Sequence, residues 1–446
     1  MPDLNAPAAP QLRRAIRLPH ATAMVVGTII GASIFVQPSE ITGQVPSVGG
    51  VLLVWIISGG LTLIGALICA ELASTFTETG GVYVYLKEMY GPSIGFLWGW
   101  AMFWSMHSGI IAAIAMVFAR YAAYFFPLGA VGVKAIAILA ILVLSGVNYL
   151  GVRQGSAVQT LFTLGKVVAI LLIIALGFAL GSRVPEHFAT GGAMPAASAA
   201  DFLTALVAGL FAFGGWHMVT YSSGETVNPQ VTIPRALLVG TLIVTACYVA
   251  MNVVYMYVLP LETVAVSNRV AADAADALIG SGGGAVMSGI VMFSTLGAVS
   301  GIILSGPRVY YSMARDGLLF GWAGAVHGKY RTPHRAIVLQ AVWSSALVAT
   351  GTYRALFVRV VYTEWIFFGL LAMGLFVLRR RPGLMRGYSV WGFPLLPVAF
   401  AGASFAIVAN QLATDIGESV LGLSLVLLGL PVYYIWARKR YVGEMK

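Results

Sequence analysis

Charge is what this chain has least of. Asp, Glu, Lys and Arg make up 9% of its 446 residues, whereas a soluble domain averages about a quarter. With 59% hydrophobic residues beside that deficit, an ordinary soluble domain is excluded. Cysteine is nearly absent too: Cys69 and Cys247 both fall in apolar runs that no oxidising compartment reaches, which argues against a disulfide and a metal site. The alternation of a membrane β-barrel is missing. Missing as well from the apolar runs is any paired His, Asp or Glu cluster of catalytic spacing, so an integral-membrane enzyme is not expected. The polar, Ala- and Pro-rich start through Leu18 lacks the short apolar core of a cleaved signal, so the first span is expected to be retained.

What is present is apolar runs of spanning length, recurring from Leu18 to Trp436. They predict an all-α membrane protein of about twelve transmembrane helices, beginning near residues 18, 48, 94, 133, 156, 202, 235, 284, 335, 360, 390 and 417. The net charge of +10 suggests a nucleic-acid partner only until the cations are mapped. With both ends placed inside, nineteen of the 26 Lys and Arg fall in inner segments and six (Arg120, Lys134, Arg183, Arg269, Arg354 and Arg359) in outer ones. Lys166 lies within a span. That bias is the topology signal of an inner or plasma membrane protein with cytoplasmic termini, and nucleic acid is not needed to explain it.

One span is poorly suited to an unbroken helix. Between 18 and 41 lies Gly27-Thr28-Ile29-Ile30-Gly31-Ala32-Ser33, and non-helical backbone survives at membrane depth only inside protein or beside a watery cavity. A second Gly pair interrupts Phe211-Ala212-Phe213-Gly214-Gly215-Trp216 in the sixth span. Breaks at corresponding places in two halves point to a binding site between them. The chain is therefore divided as a cytoplasmic tail, 1–17; a first five-helix repeat, 18–181; an outer loop, 182–200; a second, inverted repeat, 201–380; helices 11 and 12, 381–437; and a cytoplasmic tail, 438–446. The fold class is thus a five-plus-five inverted repeat with discontinuous helices 1 and 6 and two extra C-terminal helices. The outer stretch 262–279, rich in Ala and acids, can form a short helix over the mouth.

Gly27 through Val36 resembles the first-helix motif of the amino acid-polyamine-organocation superfamily, particularly its L-type amino acid transporter branch and bacterial relatives. Ala70-Glu71-Leu72, Thr79-Gly80-Gly81-Val82-Tyr83 and Tyr90-Gly91-Pro92 are similar to the second-to-third helix signature. Asn148-Tyr149-Leu150-Gly151-Val152-Arg153 with Lys166 resembles the fourth and fifth helices. Phe211 to Trp216, Gly224-Glu225, Asn228-Pro229 and Ile233-Pro234-Arg235 resemble the sixth, and Arg308-Val309 with Met313-Ala314-Arg315-Asp316-Gly317 follow the eighth. Order and spacing together make the likeness specific. Departures at Ala32-Ser33, where Ser-Gly is usual, at His107-Ser108 and at His217 bear on the substrate.

A zwitterionic amino acid needs N–H donors for its carboxylate and carbonyls for its ammonium. Unwound Gly31, Ala32 and Ser33 can supply donors, helped by the partial positive charge of a helix N-terminus. Carbonyls of Ile29, Phe211, Ala212 and Phe213 can take the ammonium, as the resemblance also implies, with Ile30 and Gly214 completing the two breaks. The competing reading is that these small residues only let helices pack closely. The resemblance makes Phe211 an aromatic gate; a core- or lipid-facing ring is its alternative. Lys166 lies near mid-membrane, where an ammonium costs about 2.5–3.5 kcal/mol. The resemblance implies that it replaces a sodium ion by bonding the carbonyl near Gly27 and hydroxyls such as Ser294 or Ser300, against a lysine that snorkels to the interface.

His107, buried in the third span, is a candidate proton or specificity residue, or a hydrogen-bonded histidine that sets pocket polarity. Glu71, Glu225, Arg308, Arg315 and Asp316 sit near inner ends, where they can latch a gate or simply be solvated. Arg379-Arg380-Arg381 reads as a topology anchor. No pocket-facing candidate carries a carboxylate, which argues against a cationic side chain on the substrate. The reading is a cofactor-free secondary transporter of small to medium neutral L-amino acids, working by alternating access through sodium-independent exchange or uptake. A monomer in the lipid bilayer suffices for it. Proton-coupled symport and a non-translocating sensor or scaffold are the alternatives.

Overall fold

The structure, a computed structural model, describes residues 16–78, 80–150, 152–181, 197–280, 282–319, 322–330, 332–414 and 416–444, without the side chains of 152–164, 225, 353, 418 and 437–444. Most of the N-terminal tail and of the 182–200 loop therefore lies outside the described residues, as do the side chains of the C-terminal tail. Helix signals in the sequence set where each element starts. Helix α1 (Leu18–Ile29) opens on Pro19, and the short α2 (Gln37–Gln44) opens on Pro38, since a proline in the first turn loses no helical hydrogen bond. Ser47 caps α3 (Val48–Thr75), its hydroxyl accepting from the Gly50 amide at 3.1 Å.

The short α4 (Val82–Tyr90) leads through Gly91 to α5 (Pro92–Ala101), which runs by a π-helical turn over Met102–Met106 into α6 (His107–Ala122). After α7 (Ala130–Leu150) and α8 (Val152–Leu180), a Ser198–Asp201 capping box starts α9 (Ala199–Ala212). Next come α10 (Pro229–Val258), α11 (Leu261–Val266), α12 (Val270–Ile279) and α13 (Gly283–Arg315). The single short helix expected over 262–279 is thus two, α11 and α12. The chain ends in α14 (His334–Thr350), α15 (Tyr353–Arg379), α16 (Leu395–Thr414), α17 (Ile416–Leu427) and α18 (Gly429–Glu444).

Nine helices among the described residues are long and apolar enough to cross a membrane. Three of the twelve expected segments fall short of that length: α1, which stops at Ile29, the described 165–180 part of α8, and α14 with 17 residues. Most starts fall within a few residues of expectation, but α15 begins at Tyr353 rather than near 360. Arg354 and Arg359 depress its early hydropathy, while Thr352 nevertheless caps it, accepting from the Ala355 amide at 3.3 Å. That shift of two turns moves Glu364 from the mouth of the span to its middle.

The bundle is dressed for lipid. Leu139, Leu142 and Val143 on α7, Leu171 and Leu172 on α8, and Leu238, Val239, Leu242 and Ile243 on α10 are exposed, a contiguous apolar surface that water would penalise. Polar groups are instead inside: Gln37, Glu71, His107, Lys166, His217 and Glu364 are all buried. Helix α3 packs on α10, and α13 on both α6 and α8. The first contact is close because Gly59 has no side chain. A Cβ there would stand 2.5 Å from Thr245 Cγ2, and small residues at such crossings let membrane helices approach.

Candidate functional site

Two chain breaks meet in the interior. The last helical bond of α1 is Ile30 N to Val26 O at 2.8 Å; Gly31 then turns back on Ile29 O at 2.6 Å, and a 3₁₀ turn over Ser33–Phe35 follows. The amides of Ala32, Ser33 and Ile34 donate to no acceptor among the described residues, though all three residues are buried. Orphaned buried amides are rare because each costs roughly a lost hydrogen bond. On the other side α9 ends at Ala212, Gly214 N bonds Phe211 O at 3.0 Å, and a 3₁₀ stretch runs over Trp216–Glu225.

Gly215 joins the two. Its φ of +94° is left-handed, and a Cβ on it would lie 3.1 Å from Thr28 O, so glycine alone suits both the backbone and the crossing. Thr28 Oγ1 reaches Gly215 O at 3.2 Å. The Tyr248 hydroxyl on α10 spans both breaks, donating towards Ile29 O at 2.9 Å and Ala212 O at 3.1 Å. Edge contacts with Trp55 and Phe213, at centroid separations of 5.4 and 5.1 Å, fix its ring. Sequence reasoning missed Tyr248. Its signal was a tyrosine deep in an apolar span, whose hydroxyl must find a partner.

Ile29, Gly31, Ser33, Phe211 and Gly214 line one cavity with Thr28, Ile110, Ile114, Gly215, Met218, Ile302, Val360 and Glu364. Ile30, Ala32, Ala212 and Phe213 are buried in the same segments but are not among its walls. The Ile29 carbonyl already accepts from the Gly31 amide and the Tyr248 hydroxyl, and the Phe211 carbonyl from the Phe213 and Gly214 amides, whereas the Ala212 carbonyl accepts from Tyr248 and keeps a second lone pair. The space is about 20 Å³, enough for about one water. On one side Phe211 packs against Phe357 at a centroid distance of 5.4 Å. Phe357 also walls a hollow of about 430 Å³ that includes the Glu40–Arg354 pair, 3.3 Å apart. At the other end of the bundle a hollow of about 620 Å³ is lined by Leu18, Thr77, Asn228 and Arg235.

Glu364 corrects an expectation. A carboxylate does face the cavity, so the argument against cationic side chains falls. The sequence signal was present, because Glu364 is the one acid in the apolar stretch 354–379. With α15 begun at Tyr353, the carboxylate stands about 16 Å along the helix axis, roughly half a hydrocarbon core.

Lys166 is buried, and its Nζ donates to Gly27 O. Neither expected serine takes a bond from it: Ser300 Oγ faces Asn148 Nδ2 at 3.2 Å, and Ser294 Oγ has no partner among the described residues. His107 is fully buried but does not line the cavity. Its ring lies 6.2 Å from that of Tyr221, and neither nitrogen has a hydrogen-bond partner among the described residues.

Of the five charges expected near the inner ends, Glu71 pairs with Arg379, whose Nε and Nη2 reach its two oxygens at 3.0 and 2.6 Å. The Val390 amide adds a bond at 2.7 Å, and Arg386 stands 3.9 Å away. Arg379 is therefore more than a topology anchor. Asp316 holds Lys87 at 2.9 Å and the Tyr83 hydroxyl at 2.5 Å. Burial, then the Asp316 carboxylate, pushes the Tyr83 hydroxyl well above its usual range, so it stays a donor. Arg308 bonds Leu304 O at 2.9 Å, and Arg315 lies over the Tyr311 ring. The Glu225 side chain is outside the described residues.

Membrane-length helices, two non-helical segments crossing beside one cavity, and a hollow towards each end are the architecture of a membrane transporter. Comparison with known proteins is specific. The amino acid permease family model matches residues 16–429. The serine/threonine exchanger SteT of Bacillus subtilis (strain 168) is 35% identical over 427 residues, covering 95% of this chain and 97% of that protein. The human b(0,+)-type amino acid transporter 1 is 31% identical, covering 99% and 91%, and the human cystine/glutamate transporter 30%, covering 96% and 87%. The chain belongs to the amino acid permease family, within the amino acid-polyamine-organocation superfamily, and transports amino acids across a membrane.

Proposed function

We propose that this chain is a sodium-independent exchanger of small to medium neutral L-amino acids in the cell inner or plasma membrane. It works by alternating access as a monomer, with both termini cytoplasmic. In this reading α1 with α2, α8 and α14 complete twelve spans, ten of them forming the inverted five-plus-five repeat whose first and sixth members are the broken ones. The observation that carries it is the set of unpartnered amides at Ala32, Ser33 and Ile34 beside the cavity. Three N–H groups at the start of a helical turn suit a carboxylate. The second lone pair of the Ala212 carbonyl, at the other break, suits an ammonium.

The Phe211–Phe357 pair is the outer gate, and the Glu71–Arg379 and Asp316–Lys87 clusters latch the cytoplasmic side. Lys166, bonded to Gly27 O, links α8 to α1 with a fixed cation, which supports independence from sodium. The test is uptake of a labelled amino acid panel by purified protein in liposomes, with and without internal substrate, sodium and a pH gradient. Uptake that needs internal amino acid and ignores sodium is expected. A requirement for sodium, or binding without flux, contradicts the reading.

A further inference from the structure

Among the walls of the central cavity one group has no business with the backbone of a neutral amino acid. Glu364 is 4% exposed, and its Oε1 has no hydrogen-bond partner among the described residues. No cation among them stands within ion-pair distance of it. Lys166 is engaged with Gly27 O, and the buried histidines His107 and His217 make no hydrogen bond to Glu364 or to any other group among the described residues through their ring nitrogens. A carboxylate inside a membrane is costly unless something neutralises it, and such residues face substrate or ion pathways.

Its position on α15 points in the same direction. Phe357, Val360, Glu364 and Phe368 recur at three- and four-residue spacing and so share one face. Along that face they present the gate ring, an apolar wall, the acid and then a ring packed 5.1 Å from that of His217. Across the cavity stand Ser33 and Gly31, at the break with the unpartnered amides. Four further walls, Ile110, Ile114, Ile302 and Met218, are apolar and bulky.

We infer that Glu364 forms an anionic subsite for the side chain of the substrate, which admits short α-amino acids bearing a protonated side-chain amine. The inference rests on the proposed placement of the α-carboxylate at Ala32–Ile34 and extends the substrate range beyond neutral side chains. The substrate then brings the counter-charge that the protein does not supply. Isoleucine walls leave no room for a long or branched cation, so 2,4-diaminobutyrate is favoured over arginine.

The experiment uses the full-length protein in liposomes loaded with alanine. Uptake of labelled alanine and of labelled 2,4-diaminobutyrate is compared for wild type, Glu364→Gln and Glu364→Asp, with norvaline as the neutral competitor of equal length. Wild type is expected to take up diaminobutyrate and to prefer it to norvaline. Glu364→Gln should lower the diaminobutyrate-to-alanine ratio of kcat/KM about 10- to 100-fold, the worth of a charge-assisted hydrogen bond, and Glu364→Asp should restore part of it. If wild type carries alanine and norvaline but rejects diaminobutyrate, or if Glu364→Gln lowers both substrates by the same factor, the anionic subsite is refuted while the transport reading stands. If wild type moves no amino acid at all, the transport reading fails, and the subsite with it. The wild-type preference decides the matter even where a variant does not fold.

Discussion

Removing the Arg379 guanidinium strands a carboxylate. Glu71 is fully buried and takes two of its bonds, at 3.0 and 2.6 Å, from a residue 308 positions away. Breaking a buried ion pair from one side costs about 3–5 kcal/mol, because the remaining charge is left without compensation. Here Arg386 at 3.9 Å and the Val390 amide at 2.7 Å remain, which places Arg379→Met near about 3 kcal/mol, the lower end of that range. Glu71→Gln removes the charge and leaves an amide oxygen for the Val390 N–H. The double variant Glu71→Gln/Arg379→Met should therefore be more stable than the sum of its parts, with a coupling of about 1–3 kcal/mol. The assay is the midpoint for loss of the monodisperse peak after heating detergent-solubilised protein, run on all four members of the cycle. Strictly additive losses would mean that the pair contributes nothing as a pair, and the latch would be lost with it.

Phe211→Ala opens the ring pair with Phe357 and should reduce alanine uptake more than surface expression; equal losses of both would reject the gate. Tyr248→Phe keeps the contacts with Trp55 and Phe213 but removes the proton shared between Ile29 O and Ala212 O, worth about 1 kcal/mol. A fall in kcat/KM of roughly fivefold follows, since 1.4 kcal/mol is tenfold, and unchanged kinetics would show that the hydroxyl does not link the breaks. Lys166→Met should abolish uptake in sodium-free medium while the protein still elutes as a single species; full sodium-free activity would remove the fixed-cation role.

Much of the architecture was legible from composition, and the reason is physical. Lipid demands long apolar runs, so span starts such as Val48 and Gly283 fall at or within a residue of where hydropathy puts them. The stop of α1 at Ile29 lies inside the small-residue run; that a buried ammonium must find an acceptor follows from physics, whereas the match of Lys166 to Gly27 came from the family resemblance. What escaped was set by distance in sequence or by masking. Glu71 could not be paired with Arg379 by any local pattern, and Tyr248 reaches Ile29 across 219 positions. Glu364 was overlooked: Arg354 and Arg359 make the first two turns of α15 look like an outer loop, and a span begun near 360 leaves the acid within four residues of its start.

The most direct measurement is an experimental structure of the protein in a lipid nanodisc with a transported amino acid bound. The account predicts the substrate carboxylate on at least two of the amides of Ala32, Ser33 and Ile34, with the ammonium turned towards the Phe211–Gly214 break. A substrate seated elsewhere, or both segments wound as continuous helix around it, would contradict the account at its root.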